Sequence, residues 1–457
     1  MAPKAPLSVL PLTSILRSLM TATVSSSPVL LPPSLRVMSL LAHTTSPVLN
    51  PDKNPLLKLV LKKTFYAQFC AGENAAEVQA TIEGLKKVGF RGVILGYARE
   101  VVMSKEESAL IGSSAASAKA AAKAAAPDGS YTSADKTITP ATAADVTNVK
   151  NPDIDAWLSG TLETVRLASA SDFVALKFTG AGSAALAALT HNLPPPPQLK
   201  SAIDAICEAA SARGVRLLFD AEQTAVQKGI DAWTMDYQRR FNTPQKATVY
   251  GTYQAYLKAT PSVLSAHLAT ASNEGFTLGV KLVRGAYLGS DPRHLIHDTK
   301  ADTDAAYDGI AESLLTGRWE GPLAPPKGEK NVRFPNVDTV LASHNRDSVL
   351  KARSILSSLP AGAKKQPEVS FAQLQGMADE VSCELLTPSS SNGVERHRKL
   401  DKVAAYKYLV WGSTGECMKY LLRRAQENRD AVQRTKSGKE AMKAELVRRV
   451  KAFFGLA

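Results

Sequence analysis

The chain has 457 residues, 44% hydrophobic and 21% charged, with a formal net charge of +13, the balance of a globular protein with one large domain or a few small ones. No apolar run reaches the ~18 residues that span a bilayer. The four cysteines, Cys70, Cys207, Cys383 and Cys417, form no CxxC pair, which points away from a zinc site or a disulfide framework and suits a reducing compartment.

The first 51 residues hold no Asp or Glu and carry Lys4, Arg17 and Arg36 among many Ser and Thr. Leu12, Ile15, Leu16 and Leu19 recur there at helical spacing, with Arg17 off that face. This is the composition of a mitochondrial transit peptide, or else of a disordered basic tail. From Asn54 the character changes. Leu56–Ala71 reads as an apolar and basic helical arm, Glu77–Val88 as an amphipathic helix, and Gly92–Tyr97 (GVILGY) as a buried strand. Ser113–Val149 is low in complexity and reads as a flexible surface insertion.

Strands and helices then alternate. Strands are expected at Phe173–Phe178, Val215–Phe219, Ala247–Tyr250, within the stretch Phe276–Tyr287, and at Thr339–Ser343, Val369–Gln373 and Ala404–Val410. Helices are expected at Asn151–Ala168, Gln198–Arg213, Gln227–Phe241, Val263–Asn273, Thr299–Thr316, Ser348–Leu359 and Gly415–Arg429. Gly317–Asn336 and Pro388–Arg398 are polar loops, and residues 436–457 form a basic helical tail. The strands are short and apolar throughout, as parallel strands covered on both faces are. Eight such units fit a distorted (βα)8 TIM-type barrel with an N-terminal helical arm and loop insertions, in one domain over residues 52–435. A doubly wound open sheet is the alternative, but no GxGxxG follows the first strand.

Barrels of this kind keep their chemistry at the C-terminal ends of the strands, and polar residues gather there. They are Lys177, Asp220 to Gln223, Gln254, Lys281, Arg284 to Tyr287, Ser343 to Asn345, Gln373 to Gly376, and Tyr408 with Trp411. The stretch FTLGVKLVRGAY, Phe276–Tyr287, is the densest: two cations on an apolar strand, a Gly-Ala pair that lets something flat approach the backbone, and a closing tyrosine. On the last helix Tyr420, Arg423 and Arg424 share a face, which suits a carboxylate or phosphate. Two other readings follow from the residues alone. Lys177 on a barrel strand fits an imine-forming lysine of an aldolase, and the net charge fits a basic binder of nucleic acid or membrane. The second lacks basic residues interleaved with aromatics.

In order, DFVALKFTG, LLFDAEQT, YGTYQAYLK, VKLVRGAY, ASHNRDS, FAQLQGMADE and YLLRRAQENR resemble the proline dehydrogenase (proline oxidase) family, especially its eukaryotic mitochondrial branch, across Leu57–Thr435. The resemblance implies non-covalent FAD and oxidation of L-proline to Δ1-pyrroline-5-carboxylate, the first step of proline catabolism to glutamate. It also implies electron transfer to quinone on the matrix side of the mitochondrial inner membrane, with no nucleic-acid partner. It implies catalytic roles for Asp220 and Lys281, and substrate contacts at Lys177, Leu374, Tyr408, Tyr420, Arg423 and Arg424. Cofactor contacts are implied at Ala221, Gln254, Arg284, Gly285, Ala286, Tyr287, Ser343, His344 and Glu427, and no metal. Bacterial members often carry Arg at the position of Lys281 and Lys at that of Arg284, which leaves open which cation faces the flavin N5.

Overall fold

The structure, a computed structural model, describes residues 5–44, 46–98, 150–328, 332–359, 368–387, 403–430 and 432–455, with only the backbone described for 426–430 and 432–436. The predicted insertion at 113–149 and the loop at 388–398 lie outside the described residues.

Eight parallel strands close a barrel in sequence order. They are β1 (Gly92–Tyr97), β2 (Phe173–Leu176), β3 (Arg216–Phe219), β4 (Val249–Gln254), β5 (Leu278–Val283), β6 (Val337–Ala342), β7 (Val369–Leu374) and β8 (Ala404–Trp411). β1 closes on β8 with Gly92 beside Tyr406 and Tyr97 beside Trp411. The alternation of each strand sorts its residues. On β5, Leu278, Val280 and Leu282 face the helical layer and join its core. Ile94, Phe173, Ala175, Leu218, Tyr250, Val340, Ala372 and Tyr406 fill the inside. Arg216 plugs the lower end: its guanidinium lies 3.7 Å from the Phe173 ring centroid, donates to Tyr406 OH at 2.9 Å, and pairs with Glu368. With that end filled, the free space is at the strands' C-terminal ends.

Most expected elements are present within a residue or two. β4 is longer than expected, running through Gly251 to Gln254. Gly251 is a packing position rather than a strand end: an added Cβ would lie 3.1 Å from Thr234 on the helix Thr224–Phe241. A helix at Ser183–Thr190, absent from the sequence reading, packs so close to the same helix that a Cβ at Gly229 would meet the Leu189 carbonyl oxygen at 2.5 Å.

The N-terminal stretch holds two helices, Leu12–Ser26 and Leu31–His43. The helix Leu12–Ser26 buries Ile15 against Met442 of the tail helix Val432–Phe453, and Arg449 donates to the Leu10 carbonyl at 2.8 Å. The helix Leu31–His43 sets Met38 and Leu41 in one cluster with Met418, Leu421 and Leu422. The leucine spacing that suits a leader also makes an apolar face, and here the C-terminal helices cover part of it. Among the described residues no helix is long and apolar enough to cross a membrane.

Candidate active site

At the C-terminal ends of the strands lies a cavity of about 450 Å³. At its centre stands Asp220, on the residue after β3. Lys281 of β5 donates to its Oδ1 at 2.6 Å. Lys177, just past β2, donates to Oδ2 at 3.1 Å, and Tyr408 OH of β8 donates to the same oxygen at 3.1 Å. All four positions follow the inward alternation of their strands, so the barrel's pleat assembles the group. Burial pushes the Asp220 carboxyl up, but Lys281 and Lys177 outweigh it and hold the pKa at about 2. Lys281 is 6% exposed, and a buried ammonium needs such a partner. Its Nζ also lies 5.3 Å from the Tyr408 ring centroid.

The helix Thr414–Asp430 forms the wall opposite. Tyr420, Arg423 and Arg424 line the cavity, while Leu421 and Leu422 turn into the apolar cluster behind. Arg424 is buried, with its guanidinium carbon 5.0 Å from the Tyr420 ring centroid. Leu374, at the end of β7, lines the same space. Two guanidiniums, a phenol and a leucine therefore face the Asp220 centre across one cavity.

Ala221, Gln254, Arg284, Gly285, Ala286, Tyr287, Ser343 and His344 line the rest of it. Gln254 ties two loops: its amide donates to the Glu222 carbonyl at 3.1 Å and its oxygen accepts from Ala286 N at 3.1 Å. His344 Nε2 accepts from Leu374 N at 3.1 Å, which puts the ring proton on Nδ1. Glu427 falls on the Thr414–Asp430 helix, but its side chain lies outside what the structure describes.

Two of these residues are tied to other elements as well. Gly285, at φ 150°, lines the cavity and also makes room behind it: an added Cβ would meet the Tyr256 ring at 2.4 Å. The glycine admits that ring, and Tyr256 OH then donates to Asp291 at 2.5 Å. Arg284 lines the cavity and has further partners as well. It pairs with Asp304, donates to Ser348 Oγ at 3.3 Å and lies 5.4 Å from the Tyr307 ring centroid. The cation in the middle of the site is Lys281.

One residue was missed. Thr252 of β4 lies beside Lys281 in register and lines the cavity, and its buried Oγ1 has no hydrogen-bond partner among the described residues. Strand position alone does not mark a threonine; the pairing with Lys281 turns it inward. An orphaned hydroxyl beside an ammonium, the Gln254–Ala286 turn and a cavity of this size fit a large polar heteroaromatic cofactor.

A family profile described as "Proline dehydrogenase" matches residues 78–437. The Schizosaccharomyces pombe protein "Probable proline dehydrogenase, mitochondrial" is 33% identical over 257 residues, 54% of this chain and 49% of that protein. The "Hydroxyproline dehydrogenase" of Xenopus laevis is 33% identical over 254 residues, 54% of this chain and 48% of its own. The chain thus spans about half the length of these curated relatives. Among solved structures, proline utilization A from Bdellovibrio bacteriovorus superposes with a TM-score of 0.60 at 15% identity, over 90% of this chain and 38% of that one. At that identity the likeness is one of fold.

Proposed function

The chain belongs to the proline dehydrogenase family, and from that premise we propose that it oxidises L-proline to Δ1-pyrroline-5-carboxylate with non-covalently bound FAD. This is the first step of proline catabolism to glutamate, with a quinone as the final electron acceptor. The observation that carries the reading is the Asp220–Lys281–Lys177–Tyr408 centre facing Tyr420, Arg423 and Arg424 across one cavity.

The reaction takes a hydride from the ring carbon beside the amine and a proton from the nitrogen. When bound, FAD supplies the two-electron acceptor that no side chain provides. Thr252, Gln254, Ala286, Ser343 and His344 are the residues that would hold it, with Lys281 as the buried positive charge beside it. Arg423 and Arg424 bind and orient the substrate carboxylate as planar forks, a geometry that an ammonium cannot supply. Tyr420, Tyr408 and Leu374 pack on the ring and keep water from it. Asp220 remains a carboxylate at neutral pH and fixes both ammonium groups and the Tyr408 phenol in place. In this reading Lys177, 3.1 Å from Asp220, serves as an ion-pair partner.

In the same reading the enzyme works at the matrix face of the mitochondrial inner membrane as a peripheral protein, and residues 1–51 act as a leader. Relatives named mitochondrial and the acid-free basic N-terminus support this. The test of the activity is an anaerobic absorbance spectrum of FAD-reconstituted protein before and after L-proline. A yellow protein bleached by proline is expected. A colourless protein, or a yellow one that proline leaves unchanged, overturns the reading.

A further inference from the structure

We propose that Glu73 and Asp52, both outside the cavity, are positioning residues for the substrate carboxylate, because they set the tilt of the helix that carries Arg423 and Arg424. The proposal rests on the reading of those arginines as the carboxylate site.

The arm follows the turn between β8 and that helix from both sides. Ala71 N donates to the Val410 carbonyl at 2.8 Å, Gly412 N donates to the Gly72 carbonyl at 3.2 Å, and Tyr66 OH donates to the Gly412 carbonyl at 2.7 Å. Glu73 then takes the helix start. Its Oε1 accepts from both Thr414 N and Thr414 Oγ1 at 2.8 Å. Lys58 and Lys62 hold the same carboxylate at 3.0 and 2.8 Å. Burial works against the charge, but the bonds from Lys62, Thr414 and Lys58 prevail and hold its pKa at about 2. Asp52 grips the other side, accepting from Ser413 Oγ at 2.9 Å and from Gly415 N at 3.0 Å. Gly415 belongs to this contact: a Cβ there would lie 2.2 Å from an Asp52 oxygen. Two carboxylates thus satisfy first-turn donors that the helix itself leaves open, where its dipole favours negative charge.

The geometry gives the clamp leverage. Thr414 and Arg424 are separated by roughly 15 Å along the helix at about 1.5 Å per residue. A tilt of roughly 4° about the clamped end moves the guanidinium by about 1 Å, and a misplacement of that size costs up to about 10²-fold in an oriented site. The β8 strand and the apolar cluster under Leu421 and Leu422 hold the helix on the barrel, so loss of the clamp alters its angle rather than its fold.

The experiment compares wild type, Glu73→Ala, Glu73→Gln and Asp52→Ala as full-length holoenzyme, each also combined with Arg424→Met. Glu73→Ala should raise the KM for L-proline roughly tenfold, with kcat and FAD content within about twofold. Glu73→Gln keeps an acceptor for Thr414 and should recover most of the affinity. In the Arg424→Met background Glu73→Ala and Asp52→Ala should weaken proline binding by less than they do in wild type, because only Arg423 is left for the clamp to place. An unchanged KM in both clamp variants, or effects that simply add to Arg424→Met, overturns the proposal. So does a parallel loss of kcat and flavin, which marks a general structural role. Titration with cyclopentanecarboxylate by calorimetry reads the clamp without turnover. Wild type that binds the carboxylate but does not oxidise proline sinks the activity, whereas clamp variants that bind it like wild type sink the clamp.

Discussion

Lys281 and Asp220 meet at 2.6 Å across β4, joining β5 to the end of β3 over the mouth of the barrel. The contact gives Asp220 a folded pKa of about 2, below the ordinary value of about 3.9 for an aspartate. A depressed acid stabilises the fold above its unfolded pKa, and that contribution disappears as pH falls through the folded value. Asp220→Asn should therefore destabilise the protein by about 3 kcal/mol at neutral pH, because it leaves two buried ammonium groups unbalanced. The gap to wild type should hold constant above about pH 5 and close between about pH 4 and 2. Urea unfolding at a series of pH values measures it. A gap that stays constant to pH 2 excludes the ion pairs as its source.

Lys281 contributes more than Lys177 to lowering the Asp220 pKa. Lys281→Met should therefore raise that pKa further than Lys177→Met does, and the acid limb of kcat/KM for proline should move to higher pH in the same order. Lys281→Met should also cost about 10²-fold in kcat, the usual scale for removing a preorganised charge from a site. Equal shifts in the two variants would show that Lys281 holds no special place.

Thr252 offers a test of the cofactor site that does not depend on turnover. Its hydroxyl is buried and has no partner among the described residues, and leaving such a group unsatisfied costs about 1–3 kcal/mol. Thr252→Val should make the flavin-free protein more stable by roughly 1 kcal/mol and weaken FAD binding about tenfold. Thermal melts and fluorescence titration of FAD read the two effects separately. A variant that binds FAD like wild type removes Thr252 from the cofactor site.

Much of the site was legible because charge on a buried strand must be answered. Lys281 among Val280 and Leu282, and Asp220 after VRLLF, announce themselves by being polar where the pattern is apolar. Tyr420, Arg423 and Arg424 announce themselves by sharing a helix face. For Gly285 and Arg284 the sequence was silent about their partners: Tyr256 and Asp304 come from other elements, and nothing local to VKLVRGAY names them. Thr252 and Gly251 became readable only through register and helix contact. The helix Ser183–Thr190 escaped because a run of Ala and Leu has no polar face to give it a period.

The packing of Gly285 against Tyr256 makes its own prediction. Gly285→Ala forces a Cβ to within 2.4 Å of the Tyr256 ring at φ 150°, where a side chain is already strained. The ring must move, and with it the Tyr256–Asp291 bond and the two bonds from Thr224 to Asp291 at 2.9 and 3.1 Å. The variant should lose about 2–4 kcal/mol of stability and most of its flavin. Tyr256→Ala combined with Gly285→Ala makes room for the methyl group and should be no less stable than Tyr256→Ala alone. If the double variant is the worse of the two, the glycine serves the cofactor and not the ring.

The paired arginines carry the substrate assignment. Arg423 and Arg424 line the cavity from the helix, whereas the residues proposed to hold the cofactor come from β4, β5 and β6 and the turns that follow them. Substrate and flavin effects should therefore separate. A carboxylate held by charged hydrogen bonds loses about 1.5–3 kcal/mol for each bond removed, and about 1.4 kcal/mol is a factor of ten. Arg423→Met or Arg424→Met should raise the KM for proline by roughly 10- to 100-fold while FAD content stays near that of wild type. Arg424 is the more buried and lies against Tyr420, so its loss should also loosen the tyrosine and weaken inhibition by other small cyclic carboxylates. Lysine at either position should restore only part of the affinity, because an ammonium cannot make the two-oxygen contact. Variants that bind proline normally would place the carboxylate elsewhere in the cavity. Variants that lose flavin and keep proline affinity would make the pair a phosphate site, and the argument for a carboxylate substrate would lose its support.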